Sequence, residues 1–349
     1  MTRVCILAAP LVARSGVYKS TTETVMAARA NELPWTGILG VASRASGTAT
    51  TVNGIREFAW DPRGARGVVD LARYLRGQEQ ILNSDIIVSM NPQADMALAL
   101  ARVRPFVSYM RGLPWPEPGE GSRPRALLWQ GLERLALRHA AEVWCTTEKL
   151  AGELPLPTTL VPPGIASLTR TWDGRGSRDL VVWAARFDHD KNPQLFRETM
   201  RGSSLSGAMY GVGPLEEELV ATLPPNVHRG GWVASDELFD EALVYVGTSW
   251  REAFGRSAVE AAMRGVPVVL SQSFGCAKLL YTDQGLREMF VLDPTGGPAP
   301  WREAIERLHL DEELRARVSG HLVLNASKLS IESSVTAMKA RLDGLTSAG

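Results

Sequence analysis

Short apolar runs alternate with longer segments of helical periodicity along the whole chain. In the first half the runs predict strands at 4–9, 37–42, 54–60, 85–90, 106–110, 142–146 and 159–161. Helices are predicted at 21–30, 66–82, 94–101 and 125–139. Continuous apolar runs are typical of parallel strands that are buried on both faces. The alternation therefore predicts a doubly wound α/β domain.

The same alternation resumes after a polar stretch at 170–178, which is rich in Arg and Gly and is predicted to be an interdomain linker. Further strands are predicted at 180–185, 205–210, 227–231, 242–246, 266–270 and 290–292, followed by a last helix at 332–345. We therefore expect two α/β domains, residues 1–168 and 169–330.

Composition narrows the range of functions. The 349 residues are enough for two domains. Because 38 Lys and Arg balance 38 Asp and Glu, bulk charge gives no support for a nucleic-acid partner. Cys5, Cys145 and Cys276 are widely separated and each falls in or beside an apolar strand, which predicts buried, reduced thiols in a cytoplasmic protein. The first ten residues are predicted to be a strand and not a signal peptide, and no apolar run is long enough to span a bilayer.

The most informative stretch lies between the strands predicted at 242–246 and 266–270. A short helix is predicted at 257–264 and ends at Gly265, and its N-terminus emerges at Phe254-Gly255-Arg256. A helix N-terminus carries N–H groups without helical partners and the positive pole of the helix dipole. It is therefore a natural phosphate site.

Two acids accompany this phosphate site. Glu252 lies in the loop before the helix, and Glu260 lies inside it. A carboxylate beside a phosphate is better suited to accept hydrogen bonds from sugar hydroxyls than to bind the phosphate itself. The arrangement indicates a nucleotide-sugar ligand, with one acid for each sugar ring.

Glu252-Ala-Phe-Gly255 followed by Glu260-Ala-Ala-Met-Arg-Gly-Val-Pro-Val-Val269 resembles the Glu-x7-Glu signature of retaining GT-B glycosyltransferases, in particular glycosyltransferase family 4. The resemblance implies two Rossmann-like domains facing across a cleft, the first binding the acceptor and the second the donor. It also implies that the C-terminal helix, within 331–349, crosses back onto the first domain. The implied reaction moves a sugar from a nucleoside-diphosphate sugar, with a UDP-sugar favoured, to a hydroxyl or amine of a small soluble acceptor. In that reaction Glu260 would hold the ribose and Glu252 the sugar.

Arg186 and Lys191 follow the strand predicted at 180–185 and resemble the family element that grips the donor diphosphate. Two cations neutralise a diphosphate and stabilise it as a leaving group, so neither a metal nor a cofactor is needed. The alternative is a solvated pair of cations beside Asp188 and Asp190. The Glu252 element in the same half favours the phosphate role.

Four further positions are candidates for donor binding by resemblance. Gly213 lies in a glycine turn after a strand, where a dinucleotide fingerprint is disfavoured because a third glycine is missing. Trp232 is a candidate for stacking on the base, although a Trp after a strand more often only packs. Gly16 stands in the place of the glycine-rich loop of the family. Arg111 stands where the family commonly has a His at the donor sugar.

Several alternatives stay open. The five His residues have no metal-binding spacing, so no metal site is predicted. The helix predicted at 125–139 has the basic residues, apolar face and Trp of a membrane-surface helix, but Glu133 and Glu142 interrupt the basic face and favour an ordinary helix. The functional alternatives are an epimerase or phosphorylase on the same fold, or a non-catalytic subunit that binds sugar nucleotides.

Overall fold

The computed structural model describes residues 1–12, 14, 16–43, 51–61, 64–112, 123–154, 156–231, 233 and 237–347. It divides the chain into two compact units. Unit 1 contains Met1–Ala166 and Ile331–Gly349, and unit 2 contains Ser167–Ser330. Within the described ranges, no helix is both long and apolar enough to cross a membrane.

The strands are β1 (Val4–Leu11), β2 (Trp35–Val41), β3 (Thr51–Val52), β4 (Ile55–Ala59), β5 (Ile86–Ser89), β6 (Phe106–Met110), β7 (Glu142–Cys145), β8 (Thr159–Leu160), β9 (Leu180–Ala184), β10 (Ser206–Tyr210), β11 (Val227–Gly231), β12 (Ala242–Gly247), β13 (Val268–Ser271) and β14 (Val291–Leu292). The helices are α1 (Gly16–Ala30), α2 (Gly64–Arg76), α3 (Glu79–Leu82), α4 (Pro92–Ala101), α5 (Arg123–Leu137), α6 (Glu148–Glu153), α7 (Pro193–Met200), α8 (Glu216–Val220), α9 (Arg256–Met263), α10 (Ala277–Leu280), α11 (Gln284–Phe290), α12 (Ala299–Leu310), α13 (Glu312–Ala326) and α14 (Ile331–Ser347).

Unit 1 is built on an eight-stranded sheet in the order β3-β4-β2-β1-β5-β6-β7-β8. All its pairs are parallel except β3 with β4. Alternate residues of β1 enter two cores: Val4 and Ile6 pack towards α1 and α14, and Cys5 and Leu7 pack towards α2 and α4. Burial on both faces explains why this strand is a continuous apolar run.

The last helix belongs to unit 1, as the family resemblance implied. Ile331, Val335 and Met338 of α14 enter the same core as β1. At the start of α14, the Ile331 N–H donates to the Ile165 carbonyl at 2.8 Å and the Ser334 hydroxyl donates to the Pro162 carbonyl at 3.0 Å. These bonds tie the helix to the chain that follows β8.

Unit 2 is built on a parallel six-stranded sheet in the order β11-β10-β9-β12-β13-β14. The two sheets with helices on their faces confirm the predicted doubly wound α/β class. Because β10 lies on one side of β9 and β12 on the other, the direction of winding changes between β9 and β12. In doubly wound sheets, ligands bind beyond the carboxyl ends of the strands at such a point.

The segment at 170–178, which the sequence predicts to be an interdomain linker, is packed into unit 2. The Thr171 and Trp172 N–H groups both donate to the Arg264 carbonyl at 3.1 Å. The buried Arg315 of α13 donates to the carbonyls of Gly174 and Gly176 at 2.7 and 3.0 Å. The segment is therefore hydrogen-bonded to unit 2, although only Trp172 and Gly174 within it are buried.

Two predicted elements differ in detail. The helix predicted at 66–82 is divided into α2 and α3, since Gln78 takes an extended conformation with φ −88° and ψ 121°. The predicted glycine loop near Gly16 is the first turn of α1, which begins five residues earlier than expected.

The three cysteines are buried and free, as predicted from their place in apolar strands. Burial raises the pKa of the Cys5 thiol to about 12, and it raises the pKa values of Cys145 and Cys276 as well. At neutral pH all three are therefore thiols and not reactive thiolates.

We predict that Gly265→Ala destabilises unit 2 by about 2–4 kcal/mol, because its φ is +85° and an added Cβ would lie 1.9 Å from the Trp172 carbonyl oxygen. The matched control is Gly320→Ala in α13, where an added Cβ meets nothing within 4 Å and φ is not positive. That control should gain about 0.5–1 kcal/mol from helix propensity. Urea unfolding measures both changes, and equal stability of the two variants would contradict the prediction.

Candidate functional site

The predicted donor residues lie in two loops at the topological switch point of unit 2. Arg186 and Lys191 follow β9, and Glu252 follows the adjacent strand β12. The loops are directly bonded, because the Trp250 N–H donates to the Asp190 carbonyl at 2.9 Å. Side chains that are 61 positions apart in sequence therefore meet at one edge of the sheet.

Lys191 is at the centre of this group. Its Nζ lies 3.0 Å from Glu252 Oε2 and 3.1 Å from Asp190 Oδ2, and it also donates to the Arg251 carbonyl at 3.4 Å. The Lys191 side chain is only 15% exposed. Burial lowers its pKa, but the attraction of Glu252 and Asp190 outweighs burial and raises the pKa above the ordinary lysine value. Lys191 is therefore a fixed positive charge at any physiological pH.

Arg186 is the more accessible of the two cations, with 66% of its side chain exposed. Its guanidinium lies 3.2 Å from Asp188 Oδ2 and 3.7 Å from Asp190 Oδ1. Asp190 therefore bridges both cations, a role that was not assigned to it from the sequence. An exposed guanidinium held by acids on its own loop can exchange them for an anionic ligand at small cost.

The buried hydroxyl of Thr248 links the loop after β12 to the loop after β9. Thr248 Oγ1 contacts the carbonyls of Lys191 and Asn192 at 3.1 and 2.9 Å and accepts a hydrogen bond from Trp183 Nε1 at 2.9 Å. These bonds fix the backbone that carries Lys191 and the start of the loop that carries Glu252.

A third loop, between β13 and α10, is hydrogen-bonded to the loop that carries Glu252. Glu252 forms a β-bridge with Phe274, and its carbonyl accepts the Gly275 N–H at 3.0 Å. The Phe254 carbonyl accepts the Cys276 N–H at 2.8 Å. Both flanks of Glu252 are therefore held by backbone hydrogen bonds.

Gly255 turns the chain into α9, which begins at Arg256, one residue before the prediction. Its φ is +101°, and a Cβ at this position would lie 2.4 Å from Phe274 Cδ1. Glycine is required here for both reasons. The Phe254 side chain is buried, so only its backbone lies at the predicted phosphate position.

Glu260 is buried within α9 and interacts with the first residue of the helix. Its Oε1 accepts a hydrogen bond from Arg256 Nε at 2.9 Å. The pair is an i,i+4 ion pair with only 6% of the Glu260 side chain exposed. Glu260 thus lies inside α9, one turn after its N-terminus, whereas the half-buried Glu252 lies in the loop that precedes the helix.

The glycine turn after β10 packs against the Arg186 loop. The Phe187 N–H donates to the Val212 carbonyl at 3.1 Å, and the Leu215 N–H donates to the Phe187 carbonyl at 3.0 Å. A Cβ on Gly213 would lie 2.4 Å from the Phe187 carbonyl oxygen. Close backbone packing therefore accounts for this glycine. The other candidate after a strand in this part of the sheet, Trp232, lies outside the described residues.

The N-terminal candidates lie at the corresponding edge of unit 1. Arg111 follows β6, donates to Ser20 Oγ of α1 at 2.8 Å and lies 4.9 Å from the centre of the Tyr109 ring. Arg111 and Tyr109 line a cavity of about 260 Å³ together with Val17 and Asn91. Gly16 is exposed at the start of α1, one residue before this cavity wall.

Two acids of unit 1, Asp95 and Glu133, are buried and interact, which the sequence did not predict. Asp95 of α4 accepts a hydrogen bond from Ser108 Oγ at 2.8 Å, and burial raises its pKa to about 7. Glu133 of α5 is also buried, and burial together with the Asp95 charge raises its pKa to about 8. The prediction that Glu133 interrupts a basic surface was therefore wrong. A single acid in a helical pattern gave no signal that it faces inward.

Among the residues that the structure describes, no group of three or more His, Cys, Asp and Glu side chains is arranged to hold a metal ion. The described site contains two cationic side chains, Lys191 and Arg186.

Residues 234–324, which include Glu252 and Glu260, match the family model described as Family 4 Glycosyltransferase in conflict systems. Comparison with curated proteins gives no match. The structure is similar to sucrose-phosphate synthase from Thermosynechococcus elongatus, with 16% identity, a TM-score of 0.82 and 100% of both chains covered. It is also similar to HepE from Anabaena in complex with UDP and glucose, with 17% identity, a TM-score of 0.75, and 99% of this chain and 100% of that chain covered.

A glycosyltransferase from Rickettsia africae gives a TM-score of 0.73 at 12% identity, with 99% of this chain and 98% of that chain covered. Identities this low show a common fold, and that fold is GT-B. Together with the family match, the fold confirms the resemblance inferred from the Glu252 and Glu260 motif. Residues 234–324 therefore match a glycosyltransferase family 4 model within a chain of GT-B fold.

The Asp95 and Glu133 pair predicts an unusual pH dependence of stability. The folded pKa values, about 7 and about 8, lie above those of unfolded Asp and Glu. Between the unfolded and the folded pKa values, the folded state therefore binds more protons than the unfolded state. The free energy of unfolding should therefore fall as pH rises through this window. At pH about 8.5, Glu133→Gln should be more stable than the parent by roughly 1–2 kcal/mol.

Chemical denaturation at pH about 5 and about 8.5 measures this difference. The exposed Glu153→Gln of α6 is the control and should change stability little at either pH. A Glu133→Gln effect that is the same at both pH values would contradict the role of its ionisation.

Proposed function

We propose that the protein transfers a sugar from a UDP-sugar, with retention of configuration, to a hydroxyl or amine of a small soluble acceptor. The observation that carries this proposal is the contact of Lys191 with Glu252 beside the N-terminus of α9. It joins a fixed cation, a carboxylate and a helix dipole at the switch point of the sheet. A nucleoside-diphosphate sugar needs the same three features. The similar HepE structure from Anabaena is a complex with UDP and glucose, which supports this donor class.

The diphosphate is proposed to bind Arg186, Lys191 and the backbone at Gly255 and Arg256. Arg186 is free to turn from Asp188 and Asp190, because all three side chains are at least partly exposed. Lys191 would keep its contact with Glu252 and exchange its contact with Asp190 for a phosphate oxygen. The two cations balance the charge of the leaving diphosphate, so the proposed reaction needs no metal and no cofactor.

The proposed chemical step is a front-side displacement. The bond from the anomeric carbon to the diphosphate oxygen breaks, and the acceptor oxygen or nitrogen bonds to that carbon on the same face. The acceptor proton passes to an oxygen of the departing diphosphate. Stabilisation of the developing negative charge by preorganised cations is the main contribution of the protein.

The two acids are assigned to the two sugar rings of the donor by their positions relative to α9. We propose that Glu260 recognises the ribose and Glu252 the transferred sugar, since Glu260 lies inside α9 and Glu252 precedes it. Gly213 is proposed near the nucleotide, because it packs against the Arg186 loop, whereas Gly16, Arg111 and Trp232 stay candidates for donor binding from the sequence alone. An epimerase or phosphorylase would use the same donor site, so release of free UDP with formation of a glycosidic bond is the deciding observation.

We predict that the two acids can be separated by calorimetry. Glu260→Gln should weaken binding of UDP and of the UDP-sugar by the same factor, on the order of tenfold or more. Glu252→Gln keeps an oxygen acceptor for Lys191, which also stays paired with Asp190, so this variant should leave UDP binding nearly unchanged and weaken only the UDP-sugar. Because Gln keeps the side-chain volume, each variant serves as the control for the other. If both variants weaken bare UDP equally, the assignment of one acid to each ring fails.

We predict that Arg186→Ala lowers turnover at saturating donor by roughly 10²–10³, the usual effect of losing one preorganised charge donor. Arg201→Ala, at a similarly exposed arginine of unit 2 that contacts Glu198, is the control and should leave turnover unchanged. Arg186 is a cleaner test than Lys191, because removing Lys191 also leaves Glu252 and Asp190 without their shared ammonium.

The same assay tests metal independence. Excess EDTA should leave the rate of the parent enzyme nearly unchanged. A large loss of activity that added Mg²⁺ or Mn²⁺ restores would contradict the proposed charge balance, even if Arg186→Ala behaves as expected.

A further inference from the structure

Helix α5 exposes four of its five leucines and buries its acid, whereas an ordinary surface helix buries apolar residues and exposes charged ones. Leu127, Leu128, Leu132 and Leu135 are 66%, 62%, 40% and 54% exposed. Glu133 is 3% exposed on the opposite side of the helix. Four exposed leucines on one helix of 15 residues form a continuous apolar stripe and not scattered surface residues.

Two neighbouring helices widen this stripe. Val69 of α2 and Leu100 of α4 are also exposed, and with Leu132 and Leu135 they line a groove of about 340 Å³. Trp129 contributes to the wall of the same groove. We call the six exposed aliphatic residues the leucine face: Val69, Leu100, Leu127, Leu128, Leu132 and Leu135.

The leucine face is surrounded by positive charge. Exposed arginines lie on α2, in the turn after α4, on α5 and directly after α5: Arg66, Arg73, Arg76, Arg102, Arg104, Arg134 and Arg138. In the described residues of these helices and of turn 102–105, Asp70 is the only acidic side chain that is not buried, and it pairs with Arg66 and Arg73. The chain as a whole has a net charge of zero, so this concentration of arginine is local.

The sequence argued against a membrane role because Glu133 and Glu142 interrupt the basic face, and the structure removes that objection. Glu133 is buried, where burial raises its pKa to about 8. The Glu142 carboxylate accepts a hydrogen bond from Trp144 Nε1 at 2.6 Å and lies 3.8 Å from Arg341. Neither acid is a solvated negative charge within the leucine face.

The charge pattern favours one occupant of this surface. In a symmetric dimer the same face meets itself, so two arginine-rich rims would be brought together and would repel each other. An anionic lipid surface offers negative headgroups to the arginines and an apolar boundary to the leucines. We propose that the leucine face docks unit 1 on an anionic lipid surface, independently of donor binding.

The test is sedimentation of the full chain with vesicles of phosphatidylcholine alone and of phosphatidylcholine mixed with phosphatidylglycerol. We expect binding only to the anionic vesicles, and weaker binding at high salt, because exposed charges are screened. No binding to the anionic vesicles at low salt would overturn the proposal.

Matched variants locate the binding surface. Leu128→Asp with Leu135→Asp should reduce the vesicle partition coefficient at least about tenfold. The control is Leu310→Asp with Leu324→Asp, at leucines of unit 2 that are 80% and 63% exposed, and it should bind as the parent does. A second pair compares Arg134→Ser and Arg138→Ser with the exposed Arg317→Ser of α13, and only the first should lose anionic selectivity.

Two further outcomes would overturn the proposal. Equal loss in the two leucine pairs would show non-specific adsorption. A parent chain that elutes as a dimer, which Leu128→Asp dissociates, would show that a second copy covers the leucine face. Far-UV circular dichroism establishes that each variant is folded, and unchanged UDP binding by the leucine variants keeps this test separate from the proposed transfer reaction.

Discussion

The ammonium of Lys191 and its two carboxylates, Glu252 and Asp190, form the interaction on which the site depends. A buried charge is stable only when it is paired, and here the paired groups come from different loops. The ion pair therefore fixes the position of the loop after β12 relative to the loop after β9. Since α9 begins at the end of the first of these loops, the direction of its dipole is fixed by the same interaction.

Around this ion pair, backbone packing sets the shape of the site. Gly213 and Gly255 are each required by a close contact, with the Phe187 carbonyl and the Phe274 ring respectively. Thr248, which directly follows β12, joins its loop to the one after β9 through a hydroxyl that contacts the Lys191 carbonyl. The charged groups can thus be held in place before a ligand arrives, which reduces the reorganisation needed in the reaction.

Much of unit 2 could be predicted from its sequence because local signals agree there. The apolar runs marked the strands, Gly265 marked the end of α9, and the spacing of Glu252 and Glu260 carried the resemblance to glycosyltransferase family 4. The role of Asp190 could not be predicted, because it depends on which strands are neighbours in the sheet. The same holds for the polar segment at 170–178, whose partners in α13 lie about 140 positions away. The inward orientation of Glu133 depends on the packing of α4 against α5, and helical periodicity carries no information about that packing.

The burial of Cys5, Cys145 and Cys276 also has a practical consequence for studying this enzyme. Their raised thiol pKa values and lack of exposure make them poor targets for maleimides and other thiol-directed labels in the folded state. A cysteine introduced at an exposed position would therefore be the preferred attachment point for a spectroscopic probe. The native residues need not be replaced, so the cores that they help to fill stay intact in the labelled protein.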